Sequence, residues 1–337
     1  MAQKVRIGIN GFGRIGRKVA RLALQDPRVE LVGVNDLSNL ETLAHLFKHD
    51  SVHGRLPHAV TVEGSALIVD GQRIPFFQER DPKNIPWTET DAQIVHECTG
   101  VFRDKPSASA HLGKSVKRVI ISAPAKNPDA TLCYGVNHGV FDPAKDVVIS
   151  NASCTTNCLA PLVKVIDQAF GVEKGTMLTV HSYTADQRLL DLPHSDLRRA
   201  RAAAVSQIPT STGAAKAVGE VLPPMKGKLD GLSIRVPTPD VSLVDFTCVV
   251  SKTTTAEAVN EALKTASQGP LKGVLGFSTE PLVSVDYYGD TRSSIVDAEL
   301  TSVIEGNLVK VLSWYDNESG FSARMIDLSV YIAGESH

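Results

Sequence analysis

Six residues near the start constrain this chain more than any others. Gly11-Phe-Gly13-Arg-Ile-Gly16 lies between an apolar run at residues 5–10 and a segment at residues 14–24 that reads as a helix, with a second apolar run at residues 29–35. Strand, glycine turn, helix, strand is a βαβ unit, which implies a parallel sheet. G-x-G-x-x-G alone is common. In this setting the first glycine permits a tight turn, the second lets backbone approach a pyrophosphate, and the third lets helix and strand pack closely. The free N–H groups and positive end of the helix then meet the anion. Asp36 stands 20 residues after Gly16 (36 − 16) and closes the second strand. A carboxylate there can accept from ribose hydroxyls and would repel a 2′-phosphate, so NAD is expected rather than NADP. The bland alternative is a surface turn with a solvated aspartate.

Further apolar runs at residues 92–97, 118–122 and 147–150 fit later strands of the same sheet. The pattern then changes. Residues 176–182, 232–236 and 241–250 are β-branched runs with few helices between them, which suggests a mostly antiparallel sheet. Residues 256–267 read as a helix, and the amphipathic stretch 322–333 as a helix able to return to the first domain. The expected fold class is therefore α/β. A Rossmann-type, doubly wound parallel sheet spans 1–152, and a second, α+β catalytic domain spans 153–317. A C-terminal helix at about 318–337 packs back on the first domain. The length of 337 residues suits two domains. With 42% hydrophobic and 21% charged residues, disorder is excluded. A formal net charge of -2 gives no reason to expect nucleic acid as the main ligand. No signal peptide or membrane-spanning stretch is legible, and five scattered cysteines suit reduced thiols in the cytoplasm.

The chemistry is concentrated at Ser153-Cys154-Thr-Thr-Asn-Cys158, which follows the run 147–150 and opens an apolar-periodic segment. Cys154 would sit at a helix N-terminus, where the dipole and free N–H groups favour a thiolate and lower the thiol pKa. Cys158, one turn on, reads as a buried helix cysteine; C-x3-C is no usual metal or redox spacing, and no metal is expected. A thiolate that forms a thioester needs a base. His181, ending a strand before Ser182, Tyr183 and Thr184, is the best candidate. On pattern alone it fits a satisfied strand-end residue equally well. For anion clamps the sequence offers Arg235 at a strand end, the hydroxyl- and glycine-rich turn Thr210–Lys216, and the cluster Arg198, Arg199 and Arg201. Taken singly, each arginine reads as solvated or salt-bridged.

Together these residues resemble the glyceraldehyde-3-phosphate dehydrogenase family of phosphorylating, NAD-dependent, bacterial-type enzymes, nearly end to end. The likeness is carried by INGFGRIGR (9–17), ERDP (79–82), SAP (122–124), NASCTTNCLAP (151–161) and HSYT (181–184). It continues in DLRRARAAA (196–204), STGAAKAV (211–218), RVPTP (235–239) and WYDNE (314–318). The resemblance implies that Cys154 is the nucleophile and His181 the acid–base. It places the substrate phosphate at Thr184 and Arg235. Inorganic phosphate would lie at Ser153, Thr155, Thr212 and Gly213, with Arg199 close to both. NAD would touch Gly11, Gly13, Arg14, Ile15, Gly16, Asp36, Arg80, Ser122 and Asn317. It also implies a glycolytic role, a homotetramer, and an S-shaped loop at about 182–206 packed near a neighbour's cofactor. Ser319, Phe321 and Asp240 depart from residues usual in such relatives, which have Trp, Tyr and Asn there. Two rivals are an erythrose-4-phosphate dehydrogenase and a non-catalytic nucleotide- or RNA-binding protein. HSYT and STGAAKAV argue against the first, and the Cys154/His181 pair against the second.

Overall fold

A computed structural model describes residues 4–335. Residues 1–3 and 336–337, the outer ends of the expected first domain, lie outside the described residues. The chain divides into two compact units. The first comprises Met1–Leu132, His138–Ala152 and Ser322–His337; the second comprises Cys133–Asn137 and Ser153–Phe321.

The first unit is built on a nine-stranded sheet. Its order is Ala130–Thr131, Val148–Ser150, Arg118–Ile121, Ile94–Glu97, Val5–Asn10, Val29–Asn35, Gln72–Phe77, Ala66–Val69, Val60–Val62. The strands from Ala130 to Phe77 in that order run parallel, and the last two add an antiparallel edge absent from the sequence reading. Ile7, Ile9, Val95, Val119 and Ile120 are fully buried, as strands covered on both faces require. The chain leaves Val5–Asn10 through the helix Arg14–Gln25 to Val29–Asn35, and later returns on the other flank with Ile94–Glu97. The order thus reverses beside Val5–Asn10, and the crevice for a ligand opens at the carboxyl ends of these strands. The C-terminal helix Ser319–Glu335 is not simply amphipathic: Ser322, Arg324 and Ser329 are buried with its apolar residues, and Ser329 Oγ lies 2.6 Å from His96 Nε2.

The second unit carries a seven-stranded sheet in the order Ile208–Ser211, Leu229–Val236, Val172–Ser182, Ser242–Val250, Leu308–Tyr315, Ser294–Ile304, Leu275–Ser278. It is mostly antiparallel, with two parallel pairs: Leu275–Ser278 beside Ser294–Ile304 at one edge, and Val172–Ser182 beside Leu229–Val236, the pair that builds the site described below. Alternate residues of Ser242–Val250 are buried, so one face meets a core. Over that core lies the helix Cys154–Phe170, whose Leu159, Leu162, Val163 and Ile166 are fully buried. Each such side chain contributes about 1.5–3 kcal/mol, enough to fix the position of the helix start.

Candidate active site

In the first unit the glycine turn has the geometry its sequence requires. Gly11 adopts φ 93°, and a Cβ there would lie 2.6 Å from the Thr99 nitrogen. A Cβ on Gly16 would lie 2.0 Å from the Gly11 carbonyl oxygen. Gly13 is the N-cap of Arg14–Gln25, supplies no side-chain bond, and has open space where a Cβ would be. Asp36 is held by two backbone donors, Phe12 N–H at 2.7 Å and Ser38 N–H at 2.8 Å. Each of its oxygens keeps a lone pair for a hydroxyl donor. Arg14 pairs with Asp50 at 2.8 Å, Ile15 is half-buried, and Arg80 is exposed just beyond Gln72–Phe77. The Ser122 N–H donates to the Glu97 carbonyl at 3.0 Å. A glycine cradle, an uncapped helix start and a carboxylate at the end of the second strand together fit a dinucleotide.

In the second unit Ser153 caps the next helix. Its hydroxyl accepts the Thr156 N–H at 3.0 Å, so Cys154 is the first helical residue. Cys154 Sγ stands 3.5 Å from His181 Nε2. His181 Nδ1 lies 2.7 Å from the Ser182 carbonyl. A carbonyl only accepts, which assigns the ring proton to Nδ1 and leaves Nε2 open to the thiol proton. Arg235 Nη1 donates to the same carbonyl at 3.3 Å and lies 3.1 Å from Nδ1. The parallel pairing explains this meeting, because His181 and Arg235 are register partners.

Burial pushes the Cys154 thiol up from its ordinary value, against the pull of the Arg235 charge and the Thr155 donors. The sequence expectation of a lowered thiol pKa is corrected here: desolvation outweighs the helix start. Burial also lowers His181 to about 3, with Arg235 adding to the effect. Neither group charges readily alone. Moving the proton from Sγ to Nε2 charges both at once, and each charge then neutralises the other. Cys158 has no such partner. It is fully buried, pushed up to about 12 by desolvation, and its thiol faces Ser294 Oγ at 3.5 Å.

The expected anion-binding residues fall in the same unit. The Thr184 N–H donates to Gln187 Oε1 at 3.0 Å. Arg199 pairs with Asp186 at 2.6 Å and donates to Thr210 Oγ1 at 2.9 Å. Thr212 Oγ1 accepts the Ala214 N–H at 3.2 Å, and Gly213 is the N-cap of the helix Ala214–Val221. Thr156 Oγ1 donates to the Ala214 carbonyl at 3.4 Å, tying the two helix starts together. Thr155 Oγ1 is engaged with the Tyr315 hydroxyl at 2.9 Å.

Three residues at the site have no individual signal in the sequence. Tyr315, fully buried, joins Thr155 and Thr179 and meets the His181 ring in a T-shaped contact, 5.9 Å between centroids. Ser182 and Ser242 both donate to Asn317 Oδ1 at 2.8 Å, which fixes the amide orientation and leaves its nitrogen as the donor. The departure at Asp240 has a physical reason. Burial and the nearby Asp316 and Glu318 charges push its carboxyl up to about 9. That environment favours the protonated carboxyl, which has one donor and one acceptor, as an asparagine amide does. Ser319 opens the last helix with its N–H on Asp316 at 2.6 Å, and Phe321 is buried.

Two family models match the chain. The NAD binding domain of glyceraldehyde 3-phosphate dehydrogenase matches residues 5–105, and the C-terminal domain of glyceraldehyde 3-phosphate dehydrogenase matches residues 153–317. The glyceraldehyde-3-phosphate dehydrogenase of Geobacillus stearothermophilus is 59% identical over 331 residues, covering 98% of this chain and 99% of the relative. Glyceraldehyde-3-phosphate dehydrogenase 1 of Bacillus cereus is 57% identical over 330 residues, with 98% and 99% covered. That of Zymomonas mobilis is 56% identical over 333 residues, with 98% of each covered. With a dinucleotide cradle in one unit, a paired cysteine and histidine in the other, and likeness along almost the whole length, the chain belongs to the glyceraldehyde 3-phosphate dehydrogenase family.

Proposed function

We propose that the protein oxidises glyceraldehyde 3-phosphate to 1,3-bisphosphoglycerate with NAD and inorganic phosphate, the glycolytic reaction. The observation that carries this reading is Cys154 Sγ at 3.5 Å from His181 Nε2, with Nδ1 tied to the Ser182 carbonyl. His181 takes the thiol proton, and the Cys154 sulfur bonds to the aldehyde carbon. His181 passes that proton to the carbonyl oxygen, giving a thiohemiacetal and a neutral imidazole. His181 then removes that hydroxyl proton as hydride leaves the carbon, and a thioester on Cys154 results. NAD supplies the hydride acceptor, held by Gly11, Gly13, Arg14, Ile15, Gly16, Asp36, Arg80, Ser122 and Asn317. A phosphate oxygen attacks the thioester carbon, the carbon–sulfur bond breaks, and Cys154 is released as thiolate. Arg235 and Thr184 hold the substrate phosphate. Ser153, Thr155, Thr212 and Gly213 hold the attacking phosphate, with Arg199 serving both. Because Thr155 Oγ1 is bound to Tyr315, its contribution is the backbone N–H at the helix start.

The protein works as a homotetramer in the cytoplasm. Leu189, Leu190, Leu192 and Leu197 are 59–81% exposed within nine residues, apolar area that a neighbouring subunit would cover. Five free thiols suit a reducing compartment. No helix among the described residues is long and apolar enough to cross a membrane. The deciding experiment is steady-state turnover with glyceraldehyde 3-phosphate and phosphate, using NAD and then NADP. Asp36, followed by exposed Leu37 rather than a cation, should give a kcat/KM ratio above one in favour of NAD. No turnover, or a ratio at or below one, defeats the reading.

A further inference from the structure

Beneath the glycine turn lies a chain of buried polar side chains that the reaction above does not use. Asn10 and Glu97, 2% and 1% exposed, end the adjacent parallel strands at the point where the strand order reverses. Asn10 Nδ2 donates to Glu97 Oε2 at 2.6 Å. Trp87 Nε1, which can only donate, reaches His111 Nδ1 at 3.2 Å. The His111 proton therefore sits on Nε2, which donates to Glu97 Oε2 at 3.0 Å. Glu97 Oε1 accepts the Thr99 N–H at 2.8 Å and also the Thr99 hydroxyl. On the far side Asn10 Oδ1 accepts from Asn35 Nδ2 at 2.8 Å, and Asn35 Oδ1 accepts the Glu79 N–H at 2.8 Å.

Every group in this chain has a fixed polarity. Four donors converge on Glu97, and its two oxygens accept all of them. The chain also borders the cofactor turn. Gly11 follows Asn10 directly, its N–H donates to the Asn35 carbonyl at 2.8 Å, and its α-carbon faces the Thr99 backbone so closely that no Cβ would fit. Glu79, at the outer end, precedes Arg80. Glu97 thus holds the floor of the glycine turn through Thr99, and one wall through Asn10 and Asn35.

We propose that Glu97 is the positioning residue of the dinucleotide site, setting NAD affinity by fixing the polarity of this buried chain. The proposal rests on the NAD-binding reading of the first unit. The test compares Glu97→Gln with the double variant Asn10→Asp/Glu97→Gln, by calorimetric NAD titration and by the rate of Cys154 alkylation without cofactor. In the single variant an amide N–H₂ faces the Asn10 and His111 donors. NAD binding should weaken about tenfold in Kd, with alkylation unchanged. In the double variant the new carboxylate at position 10 accepts from the new amide at position 97. It also accepts from His111, whose Nε2 already lies 3.3 Å from the Asn10 amide nitrogen of the parent. Affinity should return to within about threefold of the parent. An unchanged Kd in the single variant, or a loss that the double variant does not recover, overturns the proposal. Failure of the parent protein to bind NAD would instead overturn the reading it rests on.

Discussion

Two helices in this chain begin directly after a strand and a tight turn, and their first N–H groups are treated differently. Arg14–Gln25 begins at Gly13, with no side chain over the cap and open space beside it. Cys154–Phe170 begins at Ser153, whose hydroxyl takes the Thr156 N–H, while the Thr155 and Cys154 N–H groups face the sulfur. The first start, with no side chain over its cap, is open to an external anion, whereas the second also serves an internal one, the Cys154 sulfur. A helix end favours negative charge in either case. What differs is desolvation. The glycine start stays open to water and ligand, whereas burial at Cys154 outweighs the helix start, so the thiolate needs His181 as well.

Cys154→Ser should separate the two helix starts most strongly. A hydroxyl keeps its proton at neutral pH, so oxidation should fall by about 10⁴-fold or more, while the NAD Kd stays at the parent value. A parallel loss of NAD binding would show that the two starts are not independent. His181→Asn should lower turnover by about 10²–10⁴-fold. It should also shift Cys154 alkylation to higher pH, because the thiol then keeps the upward displacement that burial imposes. An unmoved alkylation profile would show that the helix start alone activates the sulfur.

Arg235→Ala removes a charge-assisted contact of about 1.5–3 kcal/mol. KM for the phosphorylated aldehyde should rise about tenfold or more, with little change for an unphosphorylated aldehyde. Equal damage to both would assign Arg235 to orienting His181, through the carbonyl they share. The smallest effect is expected at Asp240→Asn. The folded value of about 9 lies above that of an unfolded carboxyl, so the contribution of Asp240 is complete below about pH 4 and is lost as pH rises toward 9. Asparagine does not titrate, so the variant should melt a few degrees above the parent at alkaline pH, with the gap shrinking toward about pH 5. A constant gap would mean that Asp240 is not the titrating group.

What is local in this protein was legible along the chain. Gly11, Gly13 and Gly16 lie within one turn, so their steric demands follow from spacing, and Asp36 comes at the end of the next strand. The helix start at Ser153-Cys154 was equally legible, because an N-cap is a contact across three residues. The edge strands Val60–Val62 and Ala66–Val69 were not legible, being short and without strong alternation. The parallel register between Val172–Ser182 and Leu229–Val236, which brings His181 to Arg235 across 54 residues, was set only in three dimensions. So was the raised thiol pKa, since desolvation depends on what packs around the sulfur and not on its neighbours in the chain. The chain Trp87–His111–Glu97–Asn10–Asn35 likewise joins five distant positions, each of which reads alone as an ordinary polar or aromatic residue. Local backbone geometry can be read along a sequence because its contacts are a few residues apart; pairing register and burial are set by residues far away, and only the folded chain assigns them.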